Sequence, residues 1–377
     1  MSLPRINEAI NLWKTQLPSV KPYYAVKCNP APQFLRQLYT SGLGFDCASE
    51  RELLEIKSLG DTANIIYANP CKSARDIRVA KTLGEPTTVV DSVEEVEKLG
   101  NYRGGALIRI AVDDSGSAMP FSSKFGATDI LRIGQAAKAV GLGINGISFH
   151  VGSGCSNPDG HAAAIRLAYK SIIQLNSIHN NIKIIDIGGG YLANKSQFWA
   201  TARSIRSAIR EVEDDGSDIR WISEPGRFLA ARSFDFYVQV IGKKRVADAW
   251  KYTIDDSLYG QFTCILFDHA KPSWIRISDG TERKRSSGVI FGRTCDSVDV
   301  IAHATDMEEL EVGDWLWFPS MGAYTRATAS EFNGFPAPEI FIDSQPAPAI
   351  TGLEKSAPRG VSYMPVVTVP KLMVGGT

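Results

Sequence analysis

Eight short apolar runs, each followed by a segment of helical character, recur along the first 230 residues, and this alternation restricts the possible fold more than any other feature of the chain. The runs are Tyr23–Val26, Phe45–Ala48, Ile65–Ala68, Thr87–Val90, Ala106–Val112, Gly146–Val151, Ile184–Ile187 and Arg220–Ser223. Helical segments lie between them at Ala31–Thr40, Ser49–Leu59, Ser73–Leu83, Ser92–Leu99, Thr128–Val140, Asp159–Ile178 and Gln197–Val212. Several open on Ser, Thr or Asp, whose side chains can accept from the unpaired N–H groups of a first turn, and several are followed by glycine. Strand–helix alternation of this kind predicts an α/β fold, a (β/α)8 TIM-like barrel, over residues 1–232. A doubly wound open sheet is the other arrangement that the same alternation permits.

Beyond residue 232 the helical period gives way to alternation at Phe234–Val240, Lys251–Ile254, Cys264–Phe267, Gly288–Phe291, Asp314–Phe318 and Glu339–Ile342. Residues 233–345 therefore read as a mostly β second domain. The remainder, 346–377, is rich in Pro and Ala without a period and reads as a mobile tail.

In a barrel of this kind chemistry gathers at the C-terminal strand ends, where the βα loops converge. Reactive residues fall at those positions: Lys27, Asp46, Asn69, Asp91, the segment His150–Gly154, Gly188–Gly190 and Glu224–Arg227. Arg109 lies inside the fifth run, where a guanidinium requires a partner. A lysine at a strand end can form a Schiff base. The turn Asp186-Ile187-Gly188-Gly189-Gly190 can bring backbone N–H groups against an anion, and Arg227 can add a charge-assisted bond. Glu224 can face a protonated ring nitrogen, and His150 can stack on a ring. Taken singly, each has an ordinary explanation: a surface lysine, glycines demanded by a tight turn, a solvated Glu-Pro turn, a core histidine. Together they meet the needs of pyridoxal phosphate.

Charge and composition exclude other classes of partner. Lys+Arg and Asp+Glu both total 41, so no net field draws the chain to nucleic acid or to an anionic membrane, and a small-molecule ligand is expected. No run approaches the about 18 apolar residues that span a bilayer, and the start of the chain lacks the layout of a signal peptide. A cytoplasmic protein is expected. Its six cysteines form no Cys-x-x-Cys pair, so free thiols and no metal site are expected.

Pro22-Tyr23-Tyr24-Ala25-Val26-Lys27-Cys28-Asn29, Gly44-Phe45-Asp46-Cys47-Ala48-Ser49, Tyr67-Ala68-Asn69-Pro70-Cys71-Lys72, Ser148-Phe149-His150-Val151-Gly152-Ser153-Gly154-Cys155, Asp186-Ile187-Gly188-Gly189-Gly190 and Glu224-Pro225-Gly226-Arg227 closely resemble eukaryotic ornithine decarboxylase, a fold-type III pyridoxal-phosphate decarboxylase. The likeness continues through Tyr259-Gly260, Thr294-Cys295-Asp296, Met321-Gly322-Ala323-Tyr324-Thr325 and Phe332-Asn333-Gly334-Phe335. The resemblance implies that Lys27 carries the cofactor, Glu224 pairs with its ring nitrogen and His150 stacks on the ring, with Asp46, Glu52 and Arg109 in the polar network around them. It assigns the phosphate to Ser153, Gly190, Gly226, Arg227 and Tyr324. It implies a homodimer with shared sites: Asp256 and the partner's Asp296 bind a distal ammonium, Phe332 lines the pocket, and Cys295 returns the proton after CO2 leaves. The implied reaction is decarboxylation of a basic amino acid, L-ornithine to putrescine, in polyamine biosynthesis.

The chain departs from the family at the substrate end. Ser257 and Ser297 replace glycines beside Asp256 and Asp296, Arg293 stands where the family usually has proline, and Glu331 adds charge near Phe332. If those glycines need φ > 0, each serine costs roughly 1 kcal/mol or rebuilds the turn; each also adds a hydroxyl near the distal end of the pocket. A paralogue acting on another amino acid, as in alkaloid or specialised amine metabolism, is the alternative these changes support. A non-catalytic protein of the antizyme-inhibitor kind is a further one, opposed by the retention of Lys27, Asp46, Arg109, His150, Glu224, Arg227, Cys295 and Tyr324. A racemase on the same barrel is opposed by the Cys295-Asp296 match. The family also has a segment, including a strand of the β domain, ahead of the position where Met1 falls, so an uncovered sheet edge is expected.

Overall fold

The computed structural model describes residues 1–179, 182–247, 249–277, 280–345 and 357–363. Contacts divide the chain into two units, Pro4–Arg232 and Met1–Leu3 with the chain from Ser233 onward. In the first, eight parallel strands close into a barrel: β1 (Val20–Ala25), β2 (Gly44–Cys47), β3 (Ile65–Tyr67), β4 (Thr88–Val90), β5 (Ala106–Arg109), β6 (Ile144–Ser148), β7 (Ile184–Asp186) and β8 (Arg220–Ser223). β8 pairs with β1 through Val20↔Trp221, which completes the ring and removes every free edge. The open-sheet alternative is thereby excluded.

The barrel interior is filled. Ile66, Val89, Leu107, Ile184 and Ile222 pack with Tyr23 and Ala68 in its lumen. The helices α1 (Leu3–Gln16), α2 (Pro32–Thr40), α3 (Glu50–Lys57), α4 (Ala74–Thr82), α5 (Val93–Leu99), α6 (Ile130–Val140), α7 (Gly160–Leu175) and α8 (Lys195–Asp214) accompany the strands. Side chains cap five of them: Ser49, Ser73, Ser92, Asp129 and Asn194 each accept a backbone N–H of the first turn. Trp13 of α1 and Phe198 of α8 close on Tyr191 and Phe228, with ring centroids 4.1–6.0 Å apart, so an aromatic floor lies under the loops that follow β7 and β8. A two-stranded ribbon, Ser117–Met119 with Ser153–Cys155, adds to the same unit.

In the second unit, seven strands form one sheet: β9 (Phe236–Val246), β10 (Ala249–Ile254), β11 (Ile275–Arg276), β12 (Arg285–Phe291), β13 (Val300–Glu308), β14 (Trp315–Phe318) and β15 (Arg359–Ser362), in the order β11-β14-β9-β10-β12-β13-β15. Val238, Val240, Tyr252, Ile254, Phe262 and Phe318 belong to its core. Three expectations differ here. Cys264–Phe267 is a helical turn; an apolar run of four carries no period of its own, and its direction is set by the turn before it. Glu339–Ile342 forms no strand, and only Asp343 makes an isolated bridge, to Ser2. Arg359–Ser362, expected within a mobile tail, is paired with β13 through His303↔Ser362 and Ala304↔Val361, so the partner strand supplies the order that the local sequence lacks. The two edges of this sheet are the short strands β11 and β15. The rest of the expected tail, 346–356 and 364–377, lies outside the described residues.

Among the described residues no helix is long and apolar enough to cross a membrane. None of the six cysteines is joined in a disulfide.

Candidate active site

The C-terminal mouth of the barrel collects nine of the residues singled out in the sequence. β1 ends in a tight turn, Val26–Cys28, that presents Lys27. The turn is closed by Asn29, whose Oδ1 accepts the Ala31 N–H at 3.0 Å while its carbonyl accepts from Tyr24 Oη at 3.1 Å. The Lys27 ammonium meets Asp46 Oδ2 at 2.9 Å; Asp46 is buried and the lysine half-exposed. Asp46 Oδ1 is buried with no donor of its own among the described residues, which leaves one acceptor in the mouth for a ligand to use.

Glycine is obligatory in the loop after β7. Gly188 has φ +64 and a Cβ there would stand 2.2 Å from the Phe149 carbonyl; Gly190 has φ +98 and would place one 2.4 Å from the Gly152 carbonyl. Three groups outside the expected set hold this loop. Asp186 Oδ1 accepts the Gly188 N–H at 2.9 Å, Ser223 Oγ donates to the Gly188 carbonyl at 2.6 Å, and His161 Nε2 lies 3.0 Å from the Gly189 carbonyl. His161 also stacks on Tyr191 at 4.6 Å, and Tyr191 Oη is 2.9 Å from Ser223 Oγ. Burial presses the His161 pKa down to about 4, so the ring is neutral and donates from Nε2. No sequence signal marks His161, which looks like any helical residue of α7.

Arg227 Nη2 donates to Ser153 Oγ at 2.9 Å, which joins the β6 and β8 loops. At Gly226 a Cβ would lie 3.1 Å from Cys28 Cβ, so the loop after β8 passes close to the Lys27 turn. His150 Nδ1 accepts the Gly152 N–H at 3.0 Å, and burial with the nearby Arg109 and Lys27 charges holds its pKa well below the usual imidazole value. It is therefore a neutral ring, 4.9 Å from that of Phe121. Arg109, expected to have a partner, lies over the Phe125 ring at 5.0 Å, in the field of Glu224, Asp91, Asp46 and Asp186. Glu52 closes the N-terminus of α3, its Oε2 accepting the Ala48 N–H at 2.6 Å.

These residues fit pyridoxal phosphate. A half-exposed amine is pinned by a buried carboxylate, a guanidinium and a hydroxyl stand beside a glycine loop with no room for side chains, and a neutral imidazole and a carboxyl flank the space between.

Asp256, Cys295, Asp296, Tyr324 and Phe332 belong to the second unit. Tyr259 draws three of its segments together: the ring stacks on Phe332 at 4.3 Å and the hydroxyl donates to Asp296 Oδ2 at 2.5 Å. Asp256 is buried and its pKa is pushed up to about 6, although Oδ1 accepts N–H bonds from Ser257 and Gln261 and the Arg293 charge pulls the other way. Cys295 is exposed, with Sγ 3.5 Å from Asn333 Oδ1. Tyr324 adopts φ +54, a left-handed backbone rarely tolerated by so bulky a residue outside functional sites.

The two serines differ from expectation. Neither has a positive φ, so the strain argument fails. The Ser257 hydroxyl accepts the N–H groups of Tyr259 at 3.1 Å and Gly260 at 3.0 Å, which makes it part of the turn. Asp299, not anticipated, ties that turn to the Cys295 loop by accepting from Leu258 N, Thr294 N and Thr294 Oγ1.

The family description that matches residues 3–231 is "Pyridoxal-dependent decarboxylase, pyridoxal binding domain". The chain is 41% identical over 351 residues to ornithine decarboxylase of Schizosaccharomyces pombe, covering 88% of this chain and 80% of that one. Among solved structures, the arginine decarboxylase of Paramecium bursaria Chlorella virus matches with a TM-score of 0.86 at 32% identity, over 91% of this chain and 94% of that one. The lysine/ornithine decarboxylase of Vibrio vulnificus, complexed with putrescine, matches with a TM-score of 0.81 at 31% identity, over 91% and 93%.

Proposed function

Because this chain belongs to the pyridoxal-dependent decarboxylases, the ornithine decarboxylase-like group of fold type III, we propose that it removes CO2 from a basic amino acid, L-ornithine foremost, to give putrescine. It is a pyridoxal phosphate-dependent amino-acid decarboxylase. The observation that carries the reading is that the Lys27–Asp46 pair and the Arg227–Ser153 contact share one barrel mouth.

Pyridoxal phosphate, when bound, supplies an electron-poor ring able to accept the electron pair that departing CO2 leaves behind. Lys27 would hold it covalently, and Asp46 keeps that amine in place. Ser153, Gly190, Gly226 and Arg227 would bind its phosphate, a role that the resemblance gives to Tyr324 as well. Glu224 would face the ring nitrogen, and His150, kept neutral, would offer a flat face without adding charge. Asp256 and Asp296 are proposed to select the substrate's distal ammonium, Phe332 to exclude water and Cys295 to return a proton. A cytosolic homodimer with shared sites is part of this reading, on the strength of the resemblance.

A second reading, decarboxylation of an amino acid without a distal ammonium, is favoured by Arg293. Its N–H donates to the Asp256 carbonyl at 3.0 Å and its guanidinium lies 4.0 Å from the centre of the Phe335 ring, forming no ion pair among the described residues. A fixed positive charge that acts on Asp256 opposes a second cation there.

CO2 release from ornithine, lysine, arginine and glutamate by the purified protein with added pyridoxal phosphate separates these readings. Release from ornithine above all supports the first. Release from glutamate in preference supports the second. Cofactor binding without release from any substrate refutes both.

A further inference from the structure

We propose that Asp186 is a positioning residue for Glu224, the two side chains sharing one proton at the barrel mouth. The proposal deepens the cofactor reading above, since Glu224 is the carboxyl being held. Asp186 ends β7 and Glu224 follows β8; these strands pair with Asp186 opposite Ile222, so the two carboxyls project from adjacent strand ends. One peptide links them further: the Gly188 N–H donates to Asp186 Oδ1 at 2.9 Å, and the Gly188 carbonyl accepts the Glu224 N–H at 2.8 Å. Asp186 is fully buried, and its remaining oxygen, Oδ2, has no hydrogen-bond partner among the described residues. The Asp186 charge bears on Glu224, so the two carboxyls lie within interaction range of each other. Two carboxyls at adjacent strand ends can bond to each other only when one of them carries a proton.

The surrounding charge also favours a retained proton. Three carboxyls, Asp46, Asp186 and Glu224, face two cations, Lys27 and Arg109. Lys27 is engaged by Asp46 and Arg109 lies over Phe125, so neither cation separates the pair. Asp91, the fourth carboxylate near Arg109, is occupied by the Gly126 N–H. The remaining neighbours, Tyr23, Tyr191, His150 and His161, are neutral. With Asp91 the carboxyls outnumber the two cations, and one retained proton reduces that excess of negative charge. It also fixes the Glu224 side chain against a residue that the Gly188 turn already holds. Burial raises both pKa values, that of Asp186 to about 6 with the Asp46 charge adding to the rise, and that of Glu224 well above the usual carboxylate range with the Asp186 and Asp46 charges adding to it.

Infrared spectroscopy of the protein without cofactor tests this directly. The wild type is expected to show a protonated-carboxyl C=O band at pH 7 that shifts in D2O. Asp186→Asn and Glu224→Gln should each abolish it, because a single carboxyl left beside Lys27 and Arg109 ionises. A band absent from the wild type, or persisting in Asp186→Asn, overturns the proposal. Should the variants fail to fold, the wild-type titration decides: the band must persist as pH rises through about 7, and its loss before that refutes a shared proton. In equilibrium dialysis Asp186→Asn should weaken pyridoxal phosphate binding by about tenfold, the loss of one well-aimed charged hydrogen bond. Unchanged affinity refutes the positioning role. A wild type that shows the band but binds no pyridoxal phosphate would refute the cofactor reading and leave the shared proton supported.

Discussion

Replacing His161 by glutamine should flatten the acid side of the protein's stability profile. The ring is buried against Tyr191 and its Nε2–H serves the Gly189 carbonyl, so the folded state keeps it neutral, with a pKa lowered from 6.5 to about 4. Unfolded, the imidazole regains its ordinary pKa and binds more protons between those two values. The stabilisation is therefore complete above about pH 6.5 and is lost as pH falls towards 4. Between pH 7.5 and pH 5 those two values give a loss of about 2 kcal/mol. Glutamine removes the titration but retains an N–H for Gly189, so His161→Gln should lose about 2 kcal/mol less than wild type over the same interval. Asp186 and Glu224 titrate in the opposite sense, gaining stability as pH falls, but they are present in both proteins and cancel in the difference. At pH 7.5, His161→Leu, which leaves the carbonyl unpaired, should be less stable than His161→Gln by roughly 1–3 kcal/mol. Urea unfolding of the cofactor-free protein at the two pH values, followed by tryptophan fluorescence, measures all three. Equal pH dependence in wild type and His161→Gln would refute the assignment of a neutral, load-carrying His161.

Three further outcomes are expected. Arg227→Ala removes the charged donor beside Ser153 and should weaken pyridoxal phosphate binding by about 1.5–3 kcal/mol, measured by absorbance titration, with little change in fold by circular dichroism. Gly190→Ala forces a Cβ to 2.4 Å from the Gly152 carbonyl at φ +98; handedness alone costs roughly 1–2 kcal/mol, and both thermal stability and cofactor retention should fall. Ser257→Ala deprives two turn N–H groups of their acceptor and should destabilise by about 0.5–2 kcal/mol in denaturant unfolding while leaving the ranking of substrates unchanged; an altered ranking would return Ser257 to the pocket.

The barrel was legible because a strand buried on both faces is nearly all apolar and its helix begins at a capping side chain, so run and cap mark each boundary to within a few residues. Ser49, Ser73 and Ser92 do in the structure what their positions suggest. The second unit was less legible. Val300–Glu308 was not anticipated as a strand, and it carries exposed His303 and Thr305 amid buried neighbours where antiparallel pairing on both sides sets its register. Cys264–Phe267 shows the converse error, an apolar run turned into a helix by the segment before it. In the site, residues at strand ends could be found by position. Asp186 appeared only as the first residue of a glycine motif, because its part depends on Glu224 across a strand pair. His161 lies on a helix, and only packing brings it under Gly189. Ser257 looked like a pocket hydroxyl because sequence gives no direction to a side chain; here it points into its own turn.

Covalent trapping with borohydride tests the central claim most directly. The protein is incubated with pyridoxal phosphate, reduced, digested and mapped by mass spectrometry, so that any lysine joined to the cofactor becomes a stable secondary amine. The account predicts one phosphopyridoxyl adduct, on Lys27, lost in Lys27→Ala and diminished in Arg227→Ala. Modification of another lysine such as Lys72 in preference to Lys27, or an equal yield in Lys27→Ala, would contradict the assignment of the barrel mouth as the cofactor site.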